Sequence, residues 1–181
     1  FWHYPRNLPY ASGYRALMHT DGWSAGGLHL HLRANTSQLN FDWNGGVNVT
    51  ASNVTIQPNE WYHFAMSANA TGVPAESKLY INGLLEGSAT GTASGLVLGP
   101  FNIGCWNESE RWVDGLIDDF RVYTHALTEN EVLAVSGLGT QYIPVSSPAN
   151  LSDDEPMLQK SVNFKDYALL LQKWLDEQLY P

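Results

Sequence analysis

The chain has 181 residues, with 16 Gly, seven Trp and nine Tyr, and only 15% of its residues are charged. This composition favours strands joined by tight turns over a helical bundle. The net charge of −9 excludes nucleic acids and anionic membrane surfaces as partners, because such a chain repels phosphate groups. No apolar run approaches the length of a membrane span, and the single cysteine, Cys105, excludes an internal disulfide.

The first strands are predicted by the alternation of apolar and polar residues. Residues 27–33 and 38–43 each carry an apolar residue at every second position, which is typical of half-buried strands. The turn residues between the two segments favour a hairpin. The side chains predicted to face the core are Leu28, Leu30, Leu32, Leu39, Phe41 and Trp43.

More strands are predicted downstream, over residues 61–67, 78–88, 96–104 and 115–123. The second of these segments is a hairpin, in which Asn82 and Gly83 are expected to adopt the two positive φ angles of a type I′ turn. Many short strands with turns between them indicate an all-β fold, a two-sheet antiparallel sandwich.

Helical signals follow the strands. Thr128 and Glu131 form the two ends of a capping box, which predicts the start of a short helix. Residues 138–160 are rich in Pro, Ser and Asp and predict a linker. Residues 161–181 carry apolar side chains at helical spacing and predict a C-terminal amphipathic helix. We therefore expect a sandwich over residues 1–137, followed by this linker and this helix.

Six Asn-x-Ser/Thr sequons are present, which is more than we expect by chance from this composition. They predict N-glycosylation, which requires an exported protein and therefore a secreted, extracellular or cell-surface location. The alternative is that Asn, Ser and Thr are simply frequent in turns. The candidate glycosylation sites are Asn35, Asn48, Asn53, Asn69, Asn107 and Asn150.

The order of these segments resembles the laminin G-like family over roughly residues 1–137. The matching stretches are Trp-Tyr-His-Phe-Ala (61–65), Leu-Tyr-Ile-Asn-Gly (79–83), Asn-Ile-Gly (102–104), Gly-Leu-Ile-Asp-Asp-Phe-Arg-Val-Tyr (115–123) and Ala-Leu-Thr-Glu-Asn-Glu-Val (126–132). The resemblance implies a jelly roll of the concanavalin A-like kind, with two curved antiparallel sheets. It also implies carbohydrate binding and, often, a structural calcium ion.

The start of the chain looks like an interior strand of such a domain, although the strands that precede it in the family are absent. The first residue is Phe1 rather than Met, so we expect a processed or partial chain. Either the chain is a fragment, or a second copy supplies the missing element by strand addition. Head-to-tail addition builds filaments, which makes a structural subunit of an extracellular glycoprotein assembly the alternative function.

The C-terminal segment is similar to the ends of large planctomycete-type secreted proteins and to the second helix of a dockerin module. The matching stretches are Ser-Pro-Ala-Asn (147–150), Val-Asn-Phe-Lys-Asp-Tyr-Ala (162–168) and Trp-Leu (174–175). The positions that bind calcium in such a loop hold Glu155, Met157 and Gln159, so we expect no calcium site in this segment.

Two groups of side chains are candidates for carbohydrate binding. Trp23 and Trp106 lie in or near Gly-rich or polar loops, where an exposed indole can stack on a sugar ring, whereas we expect Trp112 in the core. The polar candidates, on the outward face of the predicted hairpin, are His29, His31, Arg33, Asn40 and Asp42. The alternative for this polar group is an ordinary solvated strand surface. We do not predict zinc there, because no third ligand is indicated beside the two histidines.

Asp118 and Asp119 are the calcium candidates that the family resemblance implies. Alternation along residues 115–123 places Asp118 on the inner face with Phe120 and Val122, where a carboxylate needs a partner because its desolvation is costly. That partner is either a calcium ion or backbone amides at a turn.

Catalysis has little support in the sequence. Glu108 and Glu110 imitate the carboxylate pair of a glycosidase, but they lie in a predicted loop without a flanking motif. No motif places a histidine near Cys105. We therefore predict that the protein is not an enzyme but a carbohydrate-binding module of a secreted protein, with glycans or polysaccharide as its partners.

Overall fold

A computed structural model of the chain describes residues 1–8, 13–20, 22–93, 95–108 and 110–138. Both sheets lie in one compact unit, Phe1–Val132. The predicted C-terminal helix, and the predicted linker after residue 138, lie outside the described residues. Within the described ranges, no helix has the length and hydropathy needed to cross a membrane.

The described residues form ten strands and one helix. The strands are β1 (Trp2–Pro5), β2 (Tyr14–Thr20), β3 (Leu28–Arg33), β4 (Leu39–Trp43), β5 (Val49–Thr50), β6 (Tyr62–Asn69), β7 (Ala75–Ile81), β8 (Leu84–Gly91), β9 (Phe101–Ile103) and β10 (Gly115–Asp118), and the helix is α1 (Glu129–Val135). The first sheet has the order β10-β1-β6-β7-β8, and the second has the order β5-β4-β3-β2-β9. All pairings are antiparallel, which confirms the predicted two-sheet sandwich.

Side chains from both sheets form one hydrophobic core. Leu30 and Phe41 of the second sheet and Phe64 and Leu79 of the first are each at most 1% exposed and belong to the same cluster. Full burial of such a side chain stabilises the fold by about 1.5–3 kcal/mol. All six side chains that alternation predicts to face inward on β3 and β4 lie in this cluster, so that prediction is confirmed.

The turn between β7 and β8 confirms the predicted type I′ hairpin. Asn82 and Gly83 have φ angles of 53° and 80°. Asn82 also connects this turn to β6: its backbone N–H donates to the carbonyl of His63 (2.8 Å), and its side-chain Oδ1 accepts from the N–H of His63 (2.9 Å). One turn residue therefore connects three neighbouring strands.

The N-terminal segment forms an interior strand, as predicted, because β1 lies between β10 and β6. The edges of the first sheet are β10 and β8, and those of the second are β5 and β9. The addition of a strand from another copy to one of these edges stays a prediction.

The last strand is shorter than predicted. β10 ends at Asp118 because Asp119 adopts a φ of 50°, which interrupts the extended backbone. The same residue breaks the alternation: Leu116 and Asp118 are exposed, whereas Phe120 packs on Phe1 with ring centres 5.3 Å apart. The prediction that Asp118 faces the core is therefore wrong.

Two further predictions are corrected near the ends of the sheets. Only Phe101–Ile103 of the predicted strand 96–104 pairs with a neighbour, as β9. Trp112 is 55% exposed rather than buried. The next residue, Val113, packs against the hydrophobic core, and consecutive side chains of an extended segment point in opposite directions.

The short helix α1 begins with the predicted capping box. The Glu131 carboxylate accepts hydrogen bonds from both the backbone N–H and the hydroxyl of Thr128, each 2.8 Å long. The N–H of Glu131 in turn donates to the Thr128 hydroxyl at 3.3 Å. These bonds satisfy N–H groups at the start of the helix that have no partner within it.

Candidate functional site

The face of the second sheet that points away from the core carries a row of polar side chains. His19 of β2, His29 of β3 and Asp42 of β4 lie opposite one another in the register of the three strands. His31 lies two residues further along β3 and shares this face, because side chains alternate along a strand. The leucines of β3 occupy the other face, so the alternation that builds the core also places these histidines.

The three histidines are buried even though they lie on the outer face. The exposed fractions of His19, His29 and His31 are 0%, 4% and 0%. The outward position of His29 and His31 is as predicted, but the alternative of an ordinary solvated surface is wrong for both. Other side chains, from β2 and from loops, cover them.

Two tryptophans form one part of this cover. The ring of Trp106 lies against His19 and His29, with ring centres 3.5 and 5.0 Å apart. Trp23 lies 5.9 Å from His19 and 6.4 Å from Trp106, measured between ring centres. Trp23 is 43% exposed and Trp106 is half-buried, so the pair combines contact with the histidines and access to solvent.

Tyr14 and Arg111 form the other part of the cover. Tyr14 lies edge-on against His31, with ring centres 4.4 Å apart, and is itself 40% exposed. The Arg111 guanidinium lies over the rings of Tyr14 and Trp106. We call the whole group the histidine face; it consists of Tyr14, His19, Trp23, His29, His31, Trp106 and Arg111.

The loop that carries Trp106 is held by backbone hydrogen bonds. The N–H of Trp106 donates to the carbonyl of Glu110 (2.8 Å), and the N–H of Glu110 donates to the carbonyl of Trp106 (3.2 Å). The N–H of Gly104 donates to a carbonyl of β2, and the N–H of Ala16 in β2 donates to the carbonyl of Arg111. Both ends of the loop are thus attached to the sheet, which places the indole on a defined frame.

Burial keeps the imidazoles of β3 neutral. Desolvation, with smaller contributions from the other two histidines and Arg111, lowers the pKa of His29 to about 2. Desolvation, followed by the charges of Arg33 and Arg111, lowers the pKa of His31 to about 3. At neutral pH each ring therefore has one N–H donor and one nitrogen lone pair.

Asp42 lies at the more open side of the row, with a side chain 29% exposed. Its Oδ1 accepts a hydrogen bond of 2.7 Å from the Asn40 amide, and its Oδ2 lies 3.8 Å from Nδ1 of His31. Because His31 is neutral, the second contact is not an ion pair, and it is too long for a hydrogen bond. Burial raises the pKa of Asp42, although the Asn40 bond and the Arg33 charge oppose that shift.

Most of the residues predicted to bind carbohydrate lie together. Those that meet at the histidine face or beside it are Trp23, Trp106, His29, His31 and Asp42. Arg33 lies at the exposed end of β3 instead. There it helps to line a shallow depression with Gly13, Tyr14, Ala34, Asn35 and Thr36. Tyr14 belongs to both surfaces and connects them.

Three members of the histidine face are not predicted from the amino-acid sequence. His19 and Tyr14 belong to β2, a strand that is not predicted, although a strand over residues 14–20 would have placed His19 near the other histidines. Arg111 gives no local signal, because its position over the aromatic rings depends on how its loop folds back onto β2.

The predicted calcium residues lie elsewhere, at the end of β10. Asp118 and Asp119 are both exposed, and the Asp119 carboxylate accepts two hydrogen bonds of 2.7 Å from Arg121. The Oδ1 atom of Asp118 accepts a hydrogen bond from the N–H of Asp119 at 2.8 Å. Of the two partners expected for this carboxylate, a calcium ion or a backbone amide at a turn, the structure contains the second. Calcium at this pair stays a prediction, and Arg121 would have to release Asp119 for it.

The predicted glycosylation sites differ in exposure. Asn69 is half-buried, whereas the exposed ones are Asn35, Asn48, Asn53 and Asn107. Asn150 lies outside the described residues. Attachment of sugars to any of them stays a prediction.

Comparison with known proteins gives the same fold. The family model described as the Concanavalin A-like lectin/glucanases superfamily matches residues 1–133. A candidate carbohydrate-binding protein from Bacteroides ovatus ATCC 8483 is 21% identical with a TM-score of 0.57, over 73% of this chain and 38% of that one. The CBM40 of the Ruminococcus gnavus IT-sialidase is 16% identical with a TM-score of 0.55, over 75% of this chain and 79% of that one. No curated protein matches the sequence.

These likenesses show the fold. The chain spans less than two fifths of the length of the Bacteroides protein.

Proposed function

The chain belongs to the concanavalin A-like lectin/glucanases superfamily, and we propose that it binds carbohydrate through the histidine face. The observation that carries this proposal is the pair of partly exposed indoles, Trp23 and Trp106, 6.4 Å apart on a hydrogen-bonded frame. Sugar rings present apolar C–H faces, which pack on indole rings, and an aromatic ring loses little conformational entropy on binding.

Polar groups border the indole pair and can orient a sugar. Arg111 lies over Trp106, and Arg33 lies in the neighbouring depression beside Tyr14, so two groups with N–H donors for hydroxyl or carboxylate oxygens border the aromatic surface. Asp42 supplies an acceptor at the other side. A few fixed polar groups beside an apolar platform are what ligand sites use to orient a bound molecule.

The names of the two similar structures support the same class of ligand. One is a candidate carbohydrate-binding protein, and the other is the CBM40 of a sialidase. A fold alone does not determine function, so the proposal depends on the indole pair, and the names of the similar structures only support it.

We further propose binding without catalysis, in a secreted or surface-exposed protein. A retaining or inverting glycosidase needs one carboxyl group that stays protonated, usually in an apolar pocket. Glu108 and Glu110 are both solvent-exposed instead. A binding module outside the cell would meet the polysaccharides and glycoproteins that carry its ligands.

The test is binding of the purified chain to a panel of glycans and polysaccharides, followed by calorimetric titration of the best ligand. Trp106→Ala should weaken binding by about tenfold or more, because tryptophans that a bound ligand covers are typical binding hot spots. Trp61→Ala is the matched control, because Trp61 is also partly exposed (45%) but packs on Tyr4 of the first sheet, whereas the histidine face belongs to the second sheet. Equal affinity of the Trp106→Ala variant and the wild type would contradict the proposed surface, and release of sugar from a bound polysaccharide would contradict the absence of catalysis.

A further inference from the structure

Three possible metal ligands meet beneath the indoles of the histidine face. His29 and His31 of β3 and Asp42 of β4 each offer one ligand atom, and these atoms all lie within 4.8 Å of one another. Among the described residues, no other group of three His, Cys, Asp or Glu side chains has this geometry. Cross-strand register brings it about, since Asp42 lies opposite His29.

The imidazole nitrogens in this group are buried without hydrogen-bond partners. Within the described part of the chain, Nε2 of His29 and both ring nitrogens of His31 have none. Both side chains are more than nine-tenths buried, so unpaired polar atoms cost free energy. A metal ion satisfies the lone pair of a neutral imidazole, and burial keeps both rings in this neutral form.

Asp42 is oriented for the same role. The Asn40 amide donates to Oδ1 and thereby leaves Oδ2 facing Nδ1 of His31 at 3.8 Å. Metal-binding carboxylates are commonly oriented by a hydrogen bond of this kind. Bonds from Zn²⁺ to nitrogen and oxygen are about 2.0–2.2 Å long, so two ligands of a tetrahedral ion lie roughly 3.4 Å apart. The side chain of Asp42 is 29% exposed and can rotate to close the remaining difference.

We propose that His29, His31 and Asp42 bind one divalent transition-metal ion, with a fourth position left for water or for a group of a bound ligand. Two imidazoles and one carboxylate are a mixed nitrogen and oxygen donor set, which suits Zn²⁺ and its neighbours in the first transition row. Calcium, in contrast, takes six to eight oxygen ligands. The site is therefore distinct from the calcium predicted at Asp118 and Asp119.

Two cations next to the group oppose metal binding. Arg111 lies over the Tyr14 and Trp106 rings that cover the β3 histidines, and Arg33 lies two residues after His31 on the same strand, so both repel a bound cation. We therefore expect a second measurable effect: Arg111→Gln, which removes this charge, should tighten metal binding severalfold.

The test is calorimetric titration of the metal-free full chain with Zn²⁺ alone, with Co²⁺ as a spectroscopic substitute. One ion per chain is expected. His31→Gln and Asp42→Asn should weaken binding by more than about 100-fold, since the loss of even a supporting residue costs 10–100-fold. The matched controls are His63→Gln, at a buried histidine of the first sheet, and His125→Gln, at an exposed one; both should keep the wild-type affinity.

Nuclear magnetic resonance of the wild-type histidine rings gives a measurement that needs no variant. Zn²⁺ should shift the ring nitrogens of His29 and His31 and leave those of His63 and His125 in place. A wild-type chain that binds no Zn²⁺, or shifts confined to other histidines, would overturn the proposal. The Zn²⁺ titration contains no carbohydrate, and the glycan panel is run without added metal, so failure of this site and failure of the proposed function are distinguishable.

Discussion

The guanidinium of Arg111 lies 4.1 Å from the centre of the Trp106 ring. A cation over an indole face is attracted by the ring, with a free energy of about 0.5–2 kcal/mol that depends on exposure. The same guanidinium lies 5.5 Å from the centre of the Tyr14 ring. Arg111 therefore connects the two aromatic side chains that cover the β3 histidines, one from a loop and one from β2.

Removal of this cation should weaken carbohydrate binding. In Arg111→Met the side chain keeps an apolar stem but loses its attraction to Trp106, so the indole is less well fixed. We expect the affinity for the best glycan to fall by about two- to thirtyfold, which corresponds to the cation–π free energy. Calorimetric titration measures it, and Arg6→Met, at an exposed arginine after β1, is the control. An unchanged affinity of Arg111→Met would show that this contact does not support the binding surface.

Gly46 should tolerate no side chain. A Cβ atom there would lie 2.1 Å from the ring of Trp43, which is 1% exposed and cannot move aside without disturbing the core. We expect Gly46→Ala to destabilise the fold by about 2 kcal/mol or more and to lower Tm by roughly 6 °C. Gly99→Ala is the control, because nothing lies within 4 Å of its added Cβ. Thermal unfolding followed by circular dichroism compares the two, and equal Tm values would contradict the close packing at Gly46.

Acid should destabilise the sandwich through its buried histidines. Desolvation is the main cause that lowers the pKa of His63 to about 4, and the side chain is 3% exposed. An unfolded histidine has a pKa of about 6.5, so the unfolded chain binds more protons between these two values. The stability from neutral His63 is complete above pH 6.5 and is lost as the pH falls towards 4, by about 1 kcal/mol for each pH unit.

Urea unfolding at pH 7 and pH 5 tests this contribution. The loss of stability between the two pH values should be smaller in His63→Gln than in the wild type. In His125→Gln, at an exposed histidine, it should match the wild type. The same loss in all three chains would mean that His63 does not titrate as its burial requires.

Sequon occupancy should follow exposure if the chain passes through a glycosylating secretory pathway. Asn48 and Asn53 are exposed, whereas Asn69 is half-buried. We expect the first two to carry sugar most completely. Intact-mass measurement before and after enzymatic deglycosylation checks this, with Asn48→Gln and Asn53→Gln each removing one glycan. Asn130→Gln, at an exposed asparagine outside any sequon, should change no glycan mass, and a wild-type mass equal to the bare polypeptide would exclude occupancy.

The amino-acid sequence by itself determines the features that depend on neighbouring residues. Alternation along β3 and β4 separates leucines from histidines, because successive side chains of a strand point to opposite faces. Asn82 and Gly83 set their turn because few other residues adopt two successive positive φ angles. Thr128 and Glu131 set the start of α1 through bonds within one helical turn.

Only the tertiary structure decides what covers the histidines. Trp23 approaches β3 from one loop, Trp106 and Arg111 approach it from another that is far away in sequence, and no local pattern relates the two loops. The burial of His31 and its low pKa follow from such packing, in which Tyr14 and Arg111 also take part. The shortening of β10 has a similar cause. Asp119 turns the backbone so that Phe120 can stack on Phe1 from the other end of the unit, a contact that alternation along residues 115–123 does not contain.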